Sequence, residues 1–398
     1  MRWVSAAILA LALALALALA APAAADPSSL RLFGPDRLTR LNRTIAGVVL
    51  DYTHNHGADN RGWSAALGQK RDVYVYLPPG YDGRAKFPIM ITLHGIGQDE
   101  QNFLDLVPQL DAAMRCGRLP PMVVVAPDGS ILGRRSLFNT GSFYANSKAG
   151  DFEDYVVKDV WGWAKASFAV RPEREAHVIA GASMGGGGAF NIAFRNKGEF
   201  GHVIGVLPAL DFRYADCTGN YFADFDPACV GWRQTFPRGD VIGRFYGFIN
   251  VRQRRLLDPL VGREQVGINQ FTSEHNPVEL LVSRDVKSGE FGLFVGYAGR
   301  DEFNLDAHAE HFLHVAKQRG VEVHAVKLPS GRHNVATGVK FFPEWNRWLA
   351  PRLVAYVPEG YRVGGGCACA VTHVPLVTGT SRPKYLSPMP CAPCGLGW

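Results

Sequence analysis

The residues best suited to chemistry form the run Gly181-Ala182-Ser183-Met184-Gly185-Gly186. A short apolar stretch, His177-Val178-Ile179-Ala180, leads into it, and a Gly/Ala-rich run that can start a helix leads out. Gly-x-Ser-x-Gly between a strand and a helix is the pattern of a nucleophile elbow. A serine sits on a tight turn, with glycines where a side chain would clash. The motif alone can also be a Gly-rich packing turn, so the flanks carry the functional reading.

A serine hydroxyl needs a base within hydrogen-bond reach, and the base needs an orienting acid. With an elbow of this kind the chain order is Ser, then Asp or Glu, then His. Catalytic groups sit on loops at the carboxyl ends of strands. Asp301 is the first carboxylate after the apolar run Phe291 to Tyr297, with Glu302 and Asp306 as alternatives. An acid there can also simply favour a helix N-terminus. His333 is the lone histidine of Pro329-Ser330-Gly331-Arg332-His333-Asn334, just past the strand-like run Val321 to Leu328. Its bland reading is a surface histidine.

A developing oxyanion needs preorganised donors. The backbone N–H of Met184 is one. The second is expected from His94-Gly95-Ile96-Gly97, by the N–H of Ile96 or else Gly97. His94 is read as a brace for that loop. His308, His311 and His314 recur every three residues on a helical run and are read as a solvated side, not a metal site. His54 and His56 could line the cleft. No cofactor or metal is expected.

These groups need strands and helices to hold them. Strand signals fall near Thr44–Tyr52, Arg71–Leu77, Phe87–Leu93, Met122–Ala126, His177–Ala180, Val203–Leu207, Phe291–Tyr297 and Val321–Leu328. Helical signals fall near Asn102–Met114, Asp154–Phe168, Leu305–Gln318 and from Pro343 onward. This alternation predicts an α/β protein with a mostly parallel central sheet flanked by helices. The rhythm breaks between 208 and 290, which is read as a lid-like insertion. With the loops 53–69 and 130–150 it is expected to form the pocket. Phe143, Tyr144, Tyr221 and Phe222 are candidate substrate contacts.

Residues 1–25 carry a positive start, an Ala/Leu run and Ala-x-Ala spacing, the pattern of a cleaved signal peptide; an uncleaved anchor is the alternative. The catalytic domain is then 26–355, followed by a Gly/Pro/Cys-rich extension at 356–398. No second long apolar run follows, so no integral membrane span is expected after cleavage. Seven cysteines in an exported chain predict disulfides. Cys217 and Cys229 are the pair read inside the insertion, with Cys116 outside any pair. Cys367, Cys369, Cys391 and Cys394 crosslink the tail or, alternatively, hold zinc. A net charge of +6 without a Lys/Arg block interleaved with aromatics does not indicate nucleic-acid binding.

Tyr76-Leu-Pro-Pro-Gly-Tyr81, Leu93-His-Gly95, Ala126-Pro-Asp-Gly129 and Gly181-Ala-Ser-Met-Gly-Gly186, with the late Asp301 and His333, resemble the esterase D/feruloyl esterase group of α/β-hydrolases. The resemblance covers about Ile45 to Leu349. It implies the α/β-hydrolase fold, Ser183 as nucleophile, Asp301 as acid, His333 as base, and Ile96 and Met184 at the oxyanion positions. The expectation is a secreted or periplasmic serine esterase acting on a small-molecule or polymer-linked ester, such as carbohydrate-linked acyl or feruloyl groups. Three alternatives share these residues: an acyltransferase with a sugar or alcohol acceptor, a hydroxyalkanoate depolymerase, and a non-catalytic envelope protein on the same fold.

Overall fold

The computed structural model describes residues 36–136, 141–246 and 248–361. The signal segment and the four tail cysteines lie outside the described residues. The chain divides after Arg40. Of residues 1–40 the described part is one helical turn, capped by the Asp36 carboxylate, which accepts from the Thr39 N–H at 3.0 Å. All that follows concerns residues 41–361.

The described residues build an eight-stranded sheet. Its strands are β1 Val48–Tyr52, β2 Val73–Leu77, β3 Ile89–Leu93, β4 Val123–Pro127, β5 His177–Ala182, β6 His202–Val206, β7 Gly292–Ala298 and β8 His324–Leu328. The spatial order is β1-β2-β4-β3-β5-β6-β7-β8. Only β2 runs antiparallel to its neighbours, and every pair from β4 to β8 is parallel. β2 and β4 are buried along their whole length, as Val-rich strands covered on both faces should be.

After β3 the chain crosses to β4 on one side, then returns to place β5 on the other. The loops leaving β3 and β5 therefore diverge from adjacent strands, which is where open α/β sheets bind ligands. Those loops carry His94–Gly97 and Ser183.

The helices are α1 Phe103–Arg115, α2 over 152–167, α3 Met184–Arg195, α4 Gln253–Val261, α5 Gln265–His275, α6 Pro277–Ser283, α7 Leu305–Gln318, α8 Val335–Lys340 and α9 Phe342–Leu353. The middle of α2, Tyr155–Trp161, is π-wound. α3 packs on β5 and β6, and α7 on β7. Phe312 of α7 meets Phe190 and Phe194 of α3, with ring centroids 5.3 and 6.4 Å apart, which joins the two helices in the core.

The stretch 208–290 is more regular than expected. It holds an antiparallel pair, Tyr214–Asp216 with Val230–Trp232, closed by the Cys217–Cys229 disulfide. A second hairpin pairs Val241–Phe245 with Ile249–Arg252, and α4 to α6 follow. The helices escaped the sequence reading because they are short and each buries only a few residues. α4 carries Pro259 and buries chiefly Leu260 and Val261. α6 opens on Pro277, the first-turn position where proline fits.

Candidate active site

Ser183 leaves β5 with φ 55° and ψ −117°, a conformation that a side-chain-bearing residue holds only when its surroundings impose it. Two glycines allow the turn. A Cβ on Gly181 would lie 2.1 Å from the Gly185 carbonyl oxygen, and one on Gly185 would lie 2.2 Å from that of Leu93. The Ser183 N–H donates to Val206 O at 2.8 Å, and its carbonyl accepts from Gly187 at 3.0 Å. The elbow is thereby tied to the end of β6 and the first turn of α3.

The three residues expected to act together are adjacent. Ser183 Oγ lies 2.8 Å from His333 Nε2, and His333 Nδ1 lies 2.8 Å from Asp301 Oδ2. A carboxylate only accepts, so Nδ1 bears the proton and Nε2 offers its lone pair to the serine. The Asp301 side chain is nearly fully buried, and its Oδ1 takes the Phe303 N–H at 2.9 Å. The Phe303 ring meets the imidazole edge-on at 5.1 Å.

The two alternative acids sit elsewhere. Glu302 accepts the backbone N–H of His333 at 2.7 Å and pairs with Arg332 at 2.9 Å, so it anchors the base's loop. Burial, and then the charge of Asp301, push the Asp306 carboxyl up to about 6. Sequence reasoning weighed Glu302 only as an alternative acid and missed both its anchoring of the His333 backbone and the ring contact of Phe303. The signal was their position directly after Asp301, in the loop facing the histidine.

Met184 opens α3, so its N–H belongs to the first-turn amides that have no acceptor within the helix. Ile96, Met184 and Ser183 line one cavity. His94 braces its loop as expected. Its Nε2 accepts the Gly129 N–H at 2.8 Å, and its Nδ1 lies 2.9 Å from Gly95 O. Tyr144, a candidate substrate contact, is instead buried and donates to His94 O at 3.2 Å.

Ser183 lies between two cavities. One runs toward the insertion and is lined by Phe143, Phe212, Tyr221, Phe236, Leu256 and Leu257 among others. The other is lined by His94–Gln98 residues, Leu106, His333, Val335 and Val339. Of the four candidate aromatics, Phe143 and Tyr221 reach a cavity, whereas Phe222 stacks under Arg244 at 4.1 Å. Loop 53–69 supplies no lining residue to either cavity among the described residues. His54 pairs with Asp72 at 2.7 Å and His56 with Tyr74 at 2.7 Å.

The histidines of α7 need a correction. His308 and His311 are buried, not solvated. Insertion residues cover that side of α7: His311 Nδ1 lies 2.6 Å from Asp211 Oδ2, and Phe225 stacks on its ring at 5.7 Å. His314 is half-buried, with Gln318 at 2.8 Å. Among the described residues no group of three or more His, Cys, Asp or Glu is placed to hold a metal ion. No helix among them is long and apolar enough to cross a membrane.

Residues 64–280, more than half of the chain, match the Esterase family, described as "Putative esterase". The chain belongs to this family. The match includes Ser183 and the β3 loop and ends before Asp301 and His333. S-formylglutathione hydrolase of Mus musculus is 31% identical over 181 residues, 42% of this chain and 59% of the mouse protein. Esterase Rv1288 of Mycobacterium tuberculosis is 30% identical over 160 residues, 38% of this chain and 32% of that protein. The chain thus spans about three fifths or less of these relatives' length. Among solved structures, a ferulic acid esterase superposes with a TM-score of 0.55 at 17% identity, covering 78% of this chain and all of that one. An S-formylglutathione hydrolase of Staphylococcus aureus gives 0.51 at 16%, over 77% of this chain and 99% of that one. At such identities the likeness establishes the α/β-hydrolase-type fold.

Proposed function

We propose that this chain is an exported serine esterase that cleaves carboxylic esters through an acyl-enzyme. The observation that carries the reading is the continuous chain Ser183 Oγ, His333 Nε2, His333 Nδ1, Asp301 Oδ2, with both contacts at 2.8 Å. His333 takes the Ser183 proton as Oγ attacks the ester carbonyl. The N–H groups of Met184 and Ile96 hold the resulting oxyanion. The tetrahedral adduct collapses, the alcohol leaves with the proton from His333, and the acyl group stays on Oγ. Water attacks next, with His333 again as base, and releases the acid.

The leaving alcohol must lie on the side of His333, which protonates it. His333 lines the second cavity and is absent from the lining of the insertion-side one. The acyl group therefore belongs in the apolar, insertion-side cavity. Export is supported by the N-terminal pattern of residues 1–25 and suits a disulfide within the insertion. The first substrates to try are carbohydrate-linked acyl and feruloyl esters, beside simple p-nitrophenyl esters. A fluorophosphonate probe should label Ser183 in the folded protein, and Ser183→Ala should abolish both labelling and ester turnover. An unlabelled Ser183 in folded protein overturns the proposal.

A further inference from the structure

One side chain in the insertion-side cavity has no part in this chemistry. His308 of α7 is 2% exposed and lines the cavity together with Ser183. Both of its ring nitrogens are buried without a hydrogen-bond partner. Leaving such a group unmet is costly, so its retention calls for a partner from outside the chain. Burial holds the imidazole pKa down to about 4. At neutral pH the ring is uncharged, with one N–H to give and one lone pair to fill.

Its neighbours are already engaged. The Tyr221 hydroxyl donates to Phe303 O at 2.8 Å. The Arg233 guanidinium lies between the Tyr221 and Phe236 rings, and its Nη2 is shared by Asp240 at 3.1 Å and Gln253 at 3.4 Å. The Thr272 hydroxyl donates to Ile268 O at 2.8 Å. His311, three residues along the same helix and equally enclosed, is met by Asp211. The walls are otherwise largely aromatic and aliphatic. The charges acting on the His308 ring include the carboxylates of Asp211 and Asp301, opposed by Arg233. A buried anion would meet those two carboxylates, whereas a neutral polar group avoids that repulsion.

We propose that His308 reads a neutral hydrogen-bonding group, a hydroxyl or a carbonyl, on the acyl part of the ester. The preferred substrates are then oxygenated acyl esters, not plain alkanoates. This rests on the reading of Ser183 as the nucleophile and of the insertion-side cavity as the acyl pocket.

The test separates the two claims. Ser183→Ala protein, ring-labelled with 15N-histidine, is titrated with 3-hydroxybutyramide and 6-hydroxyhexanamide, and with butyramide and hexanamide. The His308 ring signals are assigned by their loss in His308→Phe. The hydroxylated amides should bind about tenfold more tightly or better and should move the His308 resonances. Equal binding of the two sets, or binding that leaves His308 unmoved, overturns the proposal. So does tighter binding of adipic acid monoamide than of the hydroxyamides, since that would mean an anion site. Turnover gives a second reading in Ser183-intact protein with the matching p-nitrophenyl esters. The ratio of kcat/KM for hydroxylated over plain esters should fall about tenfold in His308→Phe and recover in part in His308→Gln. An unchanged ratio overturns the proposal. Failure of the esterase reading would appear separately, as no turnover of any ester and no fluorophosphonate labelling, while the titration would still decide the role of His308.

Discussion

At the scale of residues, Asp301 and Glu302 are adjacent acids given different work by one backbone turn. Asp301 orients the ring of His333, and Glu302 fixes its backbone and Arg332. Their substitutions should therefore fail differently. Asp301→Asn can present an amide N–H to Nδ1 and favour the wrong tautomer, so kcat should fall by about 10³–10⁴-fold with the fold intact. Glu302→Ala removes only an acceptor for the loop and should cost about tenfold, through misplacement of the base. Glu302→Gln keeps an oxygen for the His333 N–H and should recover most of that loss. Steady-state kinetics on one p-nitrophenyl ester checks all three; equal losses for Asp301→Asn and Glu302→Ala would contradict the assignment.

At the scale of elements, the site depends on how closely the β3 loop and the start of α3 approach. A Cβ on Gly185 would sit 2.2 Å from Leu93 O, which is backbone and cannot rotate away. Gly185→Ala should destabilise the fold by about 1–3 kcal/mol and abolish labelling of Ser183. Denaturant titration with probe labelling reads both. Beyond the β3 loop, Glu100 is 4% exposed and bonded by Asn55 Nδ2 at 2.6 Å. Burial, then the charges of Asp128 and Asp99, push its carboxyl up to about 8. Below the ordinary carboxylate range both folded and unfolded states hold the proton, and stability is unaffected. From about 4.5 up to about 8 the unfolded chain loses the proton while the folded one keeps it, so this group's contribution to stability falls as pH rises. Glu100→Gln should flatten that part of a Tm-against-pH curve; an unchanged slope would refute the buried, protonated acid. The meeting of Ser183, Asp301 and His333 was legible because each sits in a short polar or Gly-rich break at the end of an apolar run. The strand order was not, since an apolar run announces a strand and says nothing of its neighbours. Nor was the burial of His308 and His311, because a distant segment, including Asp211 and Phe225, covers that side of α7 and no local pattern records it.

At the scale of the molecule, the open question is whether the stretch 208–290 serves the site or merely decorates the sheet. Its first hairpin is tied to the acid loop at two points. Tyr221 donates to Phe303 O at 2.8 Å, and the Asn304 amide donates back to Tyr221 O at 2.6 Å and Ala223 O at 3.1 Å. Tyr221 lies between the disulfide's two cysteines and also forms a wall of the insertion-side cavity. Opening the bridge, which closes a sequence separation of 12 residues, should lower stability by about 3 kcal/mol and free that wall to move. The sheet and the Ser183–His333–Asp301 contacts belong to other elements and should persist. Cys217→Ser/Cys229→Ser should therefore still label with fluorophosphonate, with KM raised more for long or bulky acyl esters than for acetate. A stretch that only decorates the sheet would lose stability on the same substitution and leave the ranking of acyl groups untouched. The comparison of KM across acyl lengths, not the change in Tm, is thus the measurement that decides whether the insertion shapes the substrate.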